Sequence, residues 1–135
     1  MSDLMQRKAA CCCGDCSISF SGDPLLNSIC HCENCKRRTG SAFGWSAYFP
    51  DDRIVGTEGE PALYILDTAD PERAKRYFCP ACGTTLYWRA SVFPAHTGVA
   101  AGCFIEGRLD EPSLSVSEDK RLAWLGLPDH WGRMS

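Results

Sequence analysis

The cysteines constrain this chain more than any other feature of its sequence. Ten of the 135 residues are cysteine, and nine of these lie in short groups at residues 11–16, 30–35 and 79–82. Residues 1–10 contain three charged side chains and no apolar stretch, so we expect no secretory signal and a cytoplasmic location. Thiols stay reduced in the cytoplasm, where clustered cysteines bind metals more often than they form disulfides. We therefore expect metal sites, with disulfides in a secreted fragment as the alternative.

The segment Cys79-Pro80-Ala81-Cys82-Gly83 is the strongest local signal. Its two cysteines on a tight turn point to one side, and Gly83 permits the positive φ that such a turn often needs. The segment thus supplies two of the four tetrahedral ligands of a structural zinc. The other pair is expected within residues 11–16, as Cys11 with Cys13 or as Cys13 with Cys16. Spacing slightly favours the second pair, whereas the alternating strand that begins at Cys16 favours a core position for that residue.

A second group, Cys30-His31-Cys32-Glu33-Asn34-Cys35, places three thiols within six residues. Three protein ligands and one open position are typical of a catalytic zinc, whereas a structural zinc has four protein ligands. Three thiolates make zinc a weak Lewis acid, so the site suits activation of a fourth sulfur rather than of water. Two alternatives stay open: His31 as a fourth ligand, and a redox role for the Cys32–Cys35 pair without a metal.

Short alternating or apolar segments punctuated by glycine and proline predict a mainly β fold. The segment from Cys16 to Ser21 alternates apolar and polar residues and is the clearest strand. The remaining predicted strands are residues 25–30, 43–49, 53–55, 63–66, 76–78, 84–89, 99–105 and 114–116. Helical turns are expected only at residues 33–38 and 119–125. The length fits one domain over residues 1–135.

Composition excludes two classes of partner. The chain has 14 basic and 17 acidic residues and a formal net charge of −3, so a surface for duplex nucleic acid is not expected. No apolar run reaches the length of a membrane span. The one dense basic run, Lys36-Arg37-Arg38, directly follows the second cysteine group. Arg37 and Arg38 are therefore candidates for binding a substrate carboxylate, with a solvated basic turn as the alternative.

Taken together, the motifs resemble the glutathione-dependent formaldehyde-activating enzyme (GFA) family. The matching segments are residues 11–14, residues 30–43, residues 78–88 and a closing Lys-Arg-Leu-Ala-Trp at 120–124, so the resemblance extends from about residue 10 to residue 128. It implies a zinc-containing β-tent fold of small antiparallel sheets with a zinc-knuckle hairpin. It also implies a structural zinc held by Cys11, Cys13, Cys79 and Cys82. A second, functional zinc is then held by Cys30, Cys32 and Cys35, which we expect to be the catalytic residues.

The resemblance implies carbon–sulfur lyase chemistry, in which a small thiol such as glutathione adds to formaldehyde or leaves from the adduct. The expected substrate thus resembles S-hydroxymethylglutathione, with its thiol activated at the three-cysteine zinc. The alternative is a non-catalytic, zinc-stabilised binding module. Three further thiols, Cys12, Cys16 and Cys103, are not needed by either zinc site, and the sequence assigns no role to His96.

Overall fold

The computed structural model describes residues 5–66 and 75–135. Its strands are β1 (Gln6–Ala10), β2 (Ser17–Ser21), β3 (Leu26–Cys30), β4 (Gly44–Pro50), β5 (Ile54–Glu58), β6 (Ala62–Ile65), β7 (Lys75–Phe78), β8 (Thr85–Arg89), β9 (His96–Ala100), β10 (Phe104–Glu106), β11 (Leu114–Val116) and β12 (Gly132–Arg133). Within those residues one α-helix forms, α1 (Glu33–Thr39), and 3₁₀ turns lie at Asp51–Arg53, Ala101–Cys103 and Glu118–Lys120. None of the described helices has the length and apolarity needed to cross a bilayer.

The strands form two sheets. One is antiparallel, in the order β10-β1-β2-β5. The other has the order β12-β11-β3-β4-β9-β8-β7-β6. In that larger sheet β11 runs parallel to both of its neighbours, β3 and β12, and the other described pairs are antiparallel. The expected mainly β fold of antiparallel sheets is confirmed, and one edge of the larger sheet adds the two parallel pairs.

Three phenylalanines connect the two sheets in the core. The ring of Phe20 on β2 stacks on that of Phe49 on β4 at 4.2 Å. Phe104, at the start of β10, lies 6.3 Å from Phe20 and 6.1 Å from Phe49, measured between ring centroids. All three side chains are fully buried. Because burial of an aromatic side chain contributes about 1.5–3 kcal/mol, this cluster is a main source of the attraction between the sheets.

Strand β1 was not predicted, because one of its inward-facing residues is an arginine. Arg7 is 7% exposed. Its Nε donates to the Gly22 carbonyl at 2.8 Å, its Nη1 donates to the Gly107 carbonyl, and its Nη2 pairs with Asp23 at 2.8 Å. These bonds compensate for the burial of a charge that would otherwise be strongly unfavourable. The guanidinium thereby joins the start of the chain to two turns.

The other sequence-based boundaries are mostly confirmed. The predicted strand at 99–105 is wrong as one element, because the 3₁₀ turn at Ala101–Cys103 separates β9 from β10 and transfers the chain from one sheet to the other. The helical turn expected at 119–125 is restricted to the 3₁₀ turn at Glu118–Lys120. The helix expected at 33–38 is α1, which ends at Gly40 with φ of 64°.

Candidate functional site

The first cysteine group is a set of four thiols carried by the loops that follow β1 and β7. The sulfurs of Cys11, Cys13, Cys79 and Cys82 all lie within 4.8 Å of one another. The Sγ atoms of Cys11 and Cys13 are 3.7 Å apart, as are those of Cys13 and Cys79. Tetrahedral zinc with bonds of about 2.3 Å separates its sulfur ligands by about 3.8 Å. The spacing of these thiols therefore fits one zinc ion with four protein ligands.

Two loops bring these four thiols together. Cys11 directly follows β1, and Cys79 directly follows β7. Gly14 and Gly83 have φ of 86° and 81°, values that glycine adopts without strain. The loops are joined where the Cys12 amide donates to Thr84 Oγ1 at 3.1 Å. Each loop thus has a glycine where its turn needs a positive φ, and this lets the two pairs of thiols converge on one point.

Cys16 is buried but does not belong to that group. Its backbone amide donates to Cys11 Sγ at 3.3 Å, and its own thiol is not one of the four clustered sulfurs. Burial, followed by a hydrogen bond to Cys79, raises the pKa of the Cys16 thiol to about 11. Of the two pairs that spacing allowed, the structure places Cys11 and Cys13 beside Cys79 and Cys82. Cys16 lies in the core.

The second group contains three thiols where β3 meets α1. Cys30 is the last residue of β3, Cys32 is the N-cap of α1, and Cys35 lies in the helix. Their sulfurs also lie within 4.8 Å of one another, and all three side chains are half-buried. The Cys35 amide donates to Cys32 Sγ at 3.3 Å, which caps the helix and fixes that sulfur.

The three thiols interact strongly. A hydrogen bond from Cys35, aided by others from Cys32 and Ser117, lowers the pKa of the Cys30 thiol to about 5. The same contact raises the pKa of the Cys35 thiol. One thiolate thus forms readily, while a second close to it is opposed by like charge. A bound cation removes that opposition because metal ligands bind as thiolates, so this donor set fits a metal ion such as zinc.

A cavity of about 290 Å³ adjoins this second group and lies on one face of the larger sheet. Its floor follows a row of residues that face each other across successive strands, Leu26, Tyr48, Gly98, Trp88 and Arg76. The next row contributes Ser28 and Ser46 beside Cys30. Helix α1 contributes Asn34, Cys35 and Arg38 to the lining. The three-cysteine group therefore lies in the wall of a cavity large enough for a small molecule.

Trp88 organises the cavity floor. Its Nε1 donates to the Tyr48 hydroxyl at 3.0 Å, and the Arg38 guanidinium lies 4.3 Å from the centroid of its ring. The indole fits because its neighbour in the row is Gly98, where a Cβ would be only 2.2 Å from Trp88 Nε1. Trp45, by contrast, packs against the core, and its Nε1 donates to Asn27 Oδ1 at 2.7 Å.

The two arginines predicted from the basic run have different surroundings. Arg38 lines the cavity beside Cys35. Arg37 is 82% exposed, forms an ion pair with Glu33 at 3.7 Å, and lines only an outer cavity. A third arginine, Arg76 on β7, lines both cavities. Sequence reasoning missed Arg76 because only the register of β7 against β8 places it opposite Trp88.

Comparison with known proteins agrees with these features. The sequence model of the glutathione-dependent formaldehyde-activating enzyme (GFA) family matches residues 6–118. The match includes both cysteine groups and most of the chain. The chain belongs to the GFA family. The expected resemblance is thereby confirmed.

Individual relatives of this GFA-family chain match over shorter segments. A protein of Emericella nidulans, provisionally named a glutathione-dependent formaldehyde-activating enzyme, is 33% identical over 75 residues, which are 56% of this chain and 37% of that protein. A protein of Aspergillus flavus with the same provisional name is 28% identical over 76 residues, 56% of this chain and 39% of its own length. The matches thus span well under half of these curated relatives.

A solved structure gives independent support for the fold. A Rhodobacter sphaeroides protein superposes with a TM-score of 0.58 at 21% identity, over 95% of this chain and 99% of its own. At that identity the likeness concerns the fold alone.

Three residues whose roles the sequence left open, His31, His96 and Cys103, are not among the clustered thiols of this GFA-family chain. His31 is fully buried, and its Nε2 is 2.7 Å from Ser115 Oγ, which also donates to Glu118. His31 is not grouped with the three neighbouring sulfurs, and burial lowers its pKa. His96 contacts the Pro94 carbonyl at 2.8 Å. Cys103 is half-buried against the core.

Proposed function

We propose that this GFA-family protein binds zinc at both cysteine groups and catalyses carbon–sulfur lyase chemistry at the second group. In this reaction a thiol adds to a small aldehyde, or the adduct separates in reverse. The observation that carries the proposal is the difference between the groups: four thiols surround one point in the first, whereas three thiols adjoin a cavity in the second. Zinc at Cys30, Cys32 and Cys35 would supply an open position that lowers the pKa of a substrate thiol.

The cavity residues then have defined tasks in this proposal. In the addition, the substrate thiol loses its proton to solvent and its sulfur forms a bond to the aldehyde carbon. The carbonyl π pair moves to oxygen, and that oxygen receives a proton from a donor that solvent then reprotonates. The Tyr48 hydroxyl accepts a hydrogen bond from Trp88 Nε1 and donates to no other described residue, so its own proton can be donated to the aldehyde oxygen. Burial raises the pKa of Tyr48, which keeps the phenol protonated at neutral pH.

The proposed substrate thiol resembles glutathione and the proposed adduct resembles S-hydroxymethylglutathione. This rests on family membership and on the provisional names of the two fungal relatives. We further propose that residues 1–135 form one domain in which Cys11, Cys13, Cys79 and Cys82 hold a structural zinc. A reducing compartment such as the cytoplasm suits the ten free thiols.

An exchange experiment tests the reaction directly. NMR of the zinc-loaded protein with glutathione and formaldehyde measures interconversion of the free thiol and its hydroxymethyl adduct. We expect exchange well above the uncatalysed rate and about 10²-fold slower exchange in Tyr48→Phe. Tyr87→Phe is the matched control, because Tyr87 lies in a different register row, opposite Val99, and stacks on Tyr77.

One outcome would contradict the proposed reaction, and another would contradict only the role of Tyr48. Exchange at the uncatalysed rate in protein with both zinc sites filled would favour the non-catalytic binding module. Equal rates for Tyr48→Phe and the wild type would remove Tyr48 from the mechanism while leaving the reaction in place.

A further inference from the structure

Two guanidinium groups, those of Arg38 and Arg76, line the cavity without a carboxylate partner among the described residues. Arg38 Nη2 is buried and forms no hydrogen bond in that part of the chain. Arg76 Nη2 donates to Asn34 Oδ1, which is neutral. Other arginines of this chain do have acidic partners, for example Arg89 with Asp51. Because a buried charge is unfavourable unless it is paired, the unpaired state of Arg38 and Arg76 points to an external anion.

Both side chains are held in place by the protein itself. The Arg38 guanidinium lies between the ring of Trp88 and Gly44, where a Cβ would be 2.6 Å from Arg38 Nη2. Arg76 lies on β7 directly opposite Trp88 on one side and Tyr64 on the other. Because these arginine side chains are already ordered, less side-chain conformational entropy is lost when a ligand binds to them.

The electrostatic environment also favours an added negative charge. Burial, and then the nearby charge of Arg38, lower the pKa of Arg76. Gly44 is a common neighbour of Arg38 and Cys35, because a Cβ on Gly44 would be 2.6 Å from Arg38 Nη2 and 3.5 Å from Cys35 Sγ. Arg38 therefore lies close to the three-cysteine group. Zinc with three thiolates has a net charge of about −1, which offsets only one of the two cations. The second cation therefore still lacks a counter-charge.

We propose that Arg38 and Arg76 together form the subsite that binds a carboxylate of the thiol ligand at the second cysteine group, with Arg76 as a specificity-determining residue. The thiol half of this inference rests on the proposed function. Guanidinium groups bind carboxylates through two parallel hydrogen bonds, which suits a pair of arginines facing one cavity. Leu26, Phe93 and Val116 add apolar side chains to the lining of the same cavity.

The subsite also lies at a boundary. Arg38, Arg76 and Asn34 line the inner cavity and, at the same time, an outer cavity that includes Arg37 and Tyr64. A ligand that binds by its sulfur near Cys30 and by a carboxylate at the arginines therefore reaches the boundary between the two cavities. The arginine pair therefore favours thiols whose carboxylate lies at a fixed distance from the sulfur.

Binding of matched small ligands tests the subsite without any aldehyde present. Calorimetry with zinc-loaded protein compares mercaptoacetate, 3-mercaptopropionate and 4-mercaptobutyrate with their neutral amides. We expect at least one acid to bind about 10-fold to 100-fold more tightly than its amide. Arg76→Met should remove most of this preference, and Arg76→Lys should restore part of it. Arg37→Met is the matched control and should retain the full preference.

The outcomes separate this inference from the proposed function. Equal affinity for every acid and its amide in the wild type would overturn the subsite even if the thiols bind. A preference that persists in folded, zinc-loaded Arg76→Met would overturn the role of Arg76. An acid preference that depends on Arg76, in a protein that does not catalyse thiol–aldehyde exchange, would support the subsite and contradict only the proposed reaction.

Discussion

Addition of one methyl group at Gly98 should disturb the whole cavity floor. A Cβ there would be 2.2 Å from Trp88 Nε1 and 2.7 Å from Trp88 Cε2, so the indole must move in Gly98→Ala. Overpacking of this kind costs about 1–3 kcal/mol, and loss of the bond from Trp88 Nε1 to the Tyr48 hydroxyl costs about 1 kcal/mol more. We expect the free energy of unfolding to fall by about 2–4 kcal/mol.

Urea denaturation measures this change as a lower midpoint with an unchanged slope. Gly56→Ala is the control, because Gly56 also lies in a strand and no atom lies within 4 Å of its Cβ position. That substitution should change the free energy of unfolding by less than about 1 kcal/mol. Gly98→Ala should also weaken the preference for acid ligands, since Arg38 rests on the displaced indole.

A double-mutant cycle identifies the cause. Trp88→Leu removes the indole, so addition of Gly98→Ala in that background should cost less than about 1 kcal/mol. If Gly98→Ala costs the same in both backgrounds, the clash with Trp88 is not the reason for its effect, and the reasoning about the cavity floor is wrong.

Two further substitutions test the first cysteine group and the ion pairs. Cys79→Ser should lower the free energy of unfolding by more than about 4 kcal/mol and reduce the zinc content by one ion, because zinc binding and folding are coupled. Cys12→Ser is the control and should change neither quantity, because Cys12 is exposed and lies outside the group. Hydrogen bonds from Arg89 and Thr97 hold the pKa of Asp51 below its usual value, so the ionised carboxylate stabilises the fold above about pH 4 and this contribution is lost as pH falls further. Asp51→Asn should therefore lower the free energy of unfolding by about 1 kcal/mol at pH 7, given a side chain about one-third exposed. In urea titrations at lower pH, the difference in the free energy of unfolding between this variant and the wild type should shrink. A difference that stays constant with pH would contradict the stabilising role of the ionised carboxylate.

The sequence was informative where chemistry or periodicity is local. The alternation from Cys16 to Ser21 predicted β2, and the spacing of the cysteines predicted which thiols would be neighbours within each turn. Spacing did not decide between Cys11 and Cys16, because their separation depends on how the loop between β1 and β2 folds. Family resemblance favoured Cys11, and the structure places that sulfur beside Cys13.

Features that depend on long-range packing were not predictable from the sequence. Strand β1 lacks an apolar alternation because Arg7 occupies one of its buried positions. The structure tolerates this arginine because it donates hydrogen bonds to carbonyl groups distant in the sequence. Strand β12 has only two residues, so it carries no periodic signal. Arg76 becomes a cavity residue only through the register of three neighbouring strands. The cavity itself depends on a glycine at position 98, whose importance is apparent only once Trp88 lies across it.

The proposed function requires that the two cysteine groups hold metal for different purposes. The direct measurement is stepwise removal of zinc by a mild chelator, with zinc release and the circular dichroism spectrum recorded together. One zinc per chain should leave first without loss of structure, and this early release should be absent in a Cys30→Ser/Cys32→Ser/Cys35→Ser variant that remains folded. The second zinc should leave only as the protein unfolds. Release of both ions together with the fold would contradict the account.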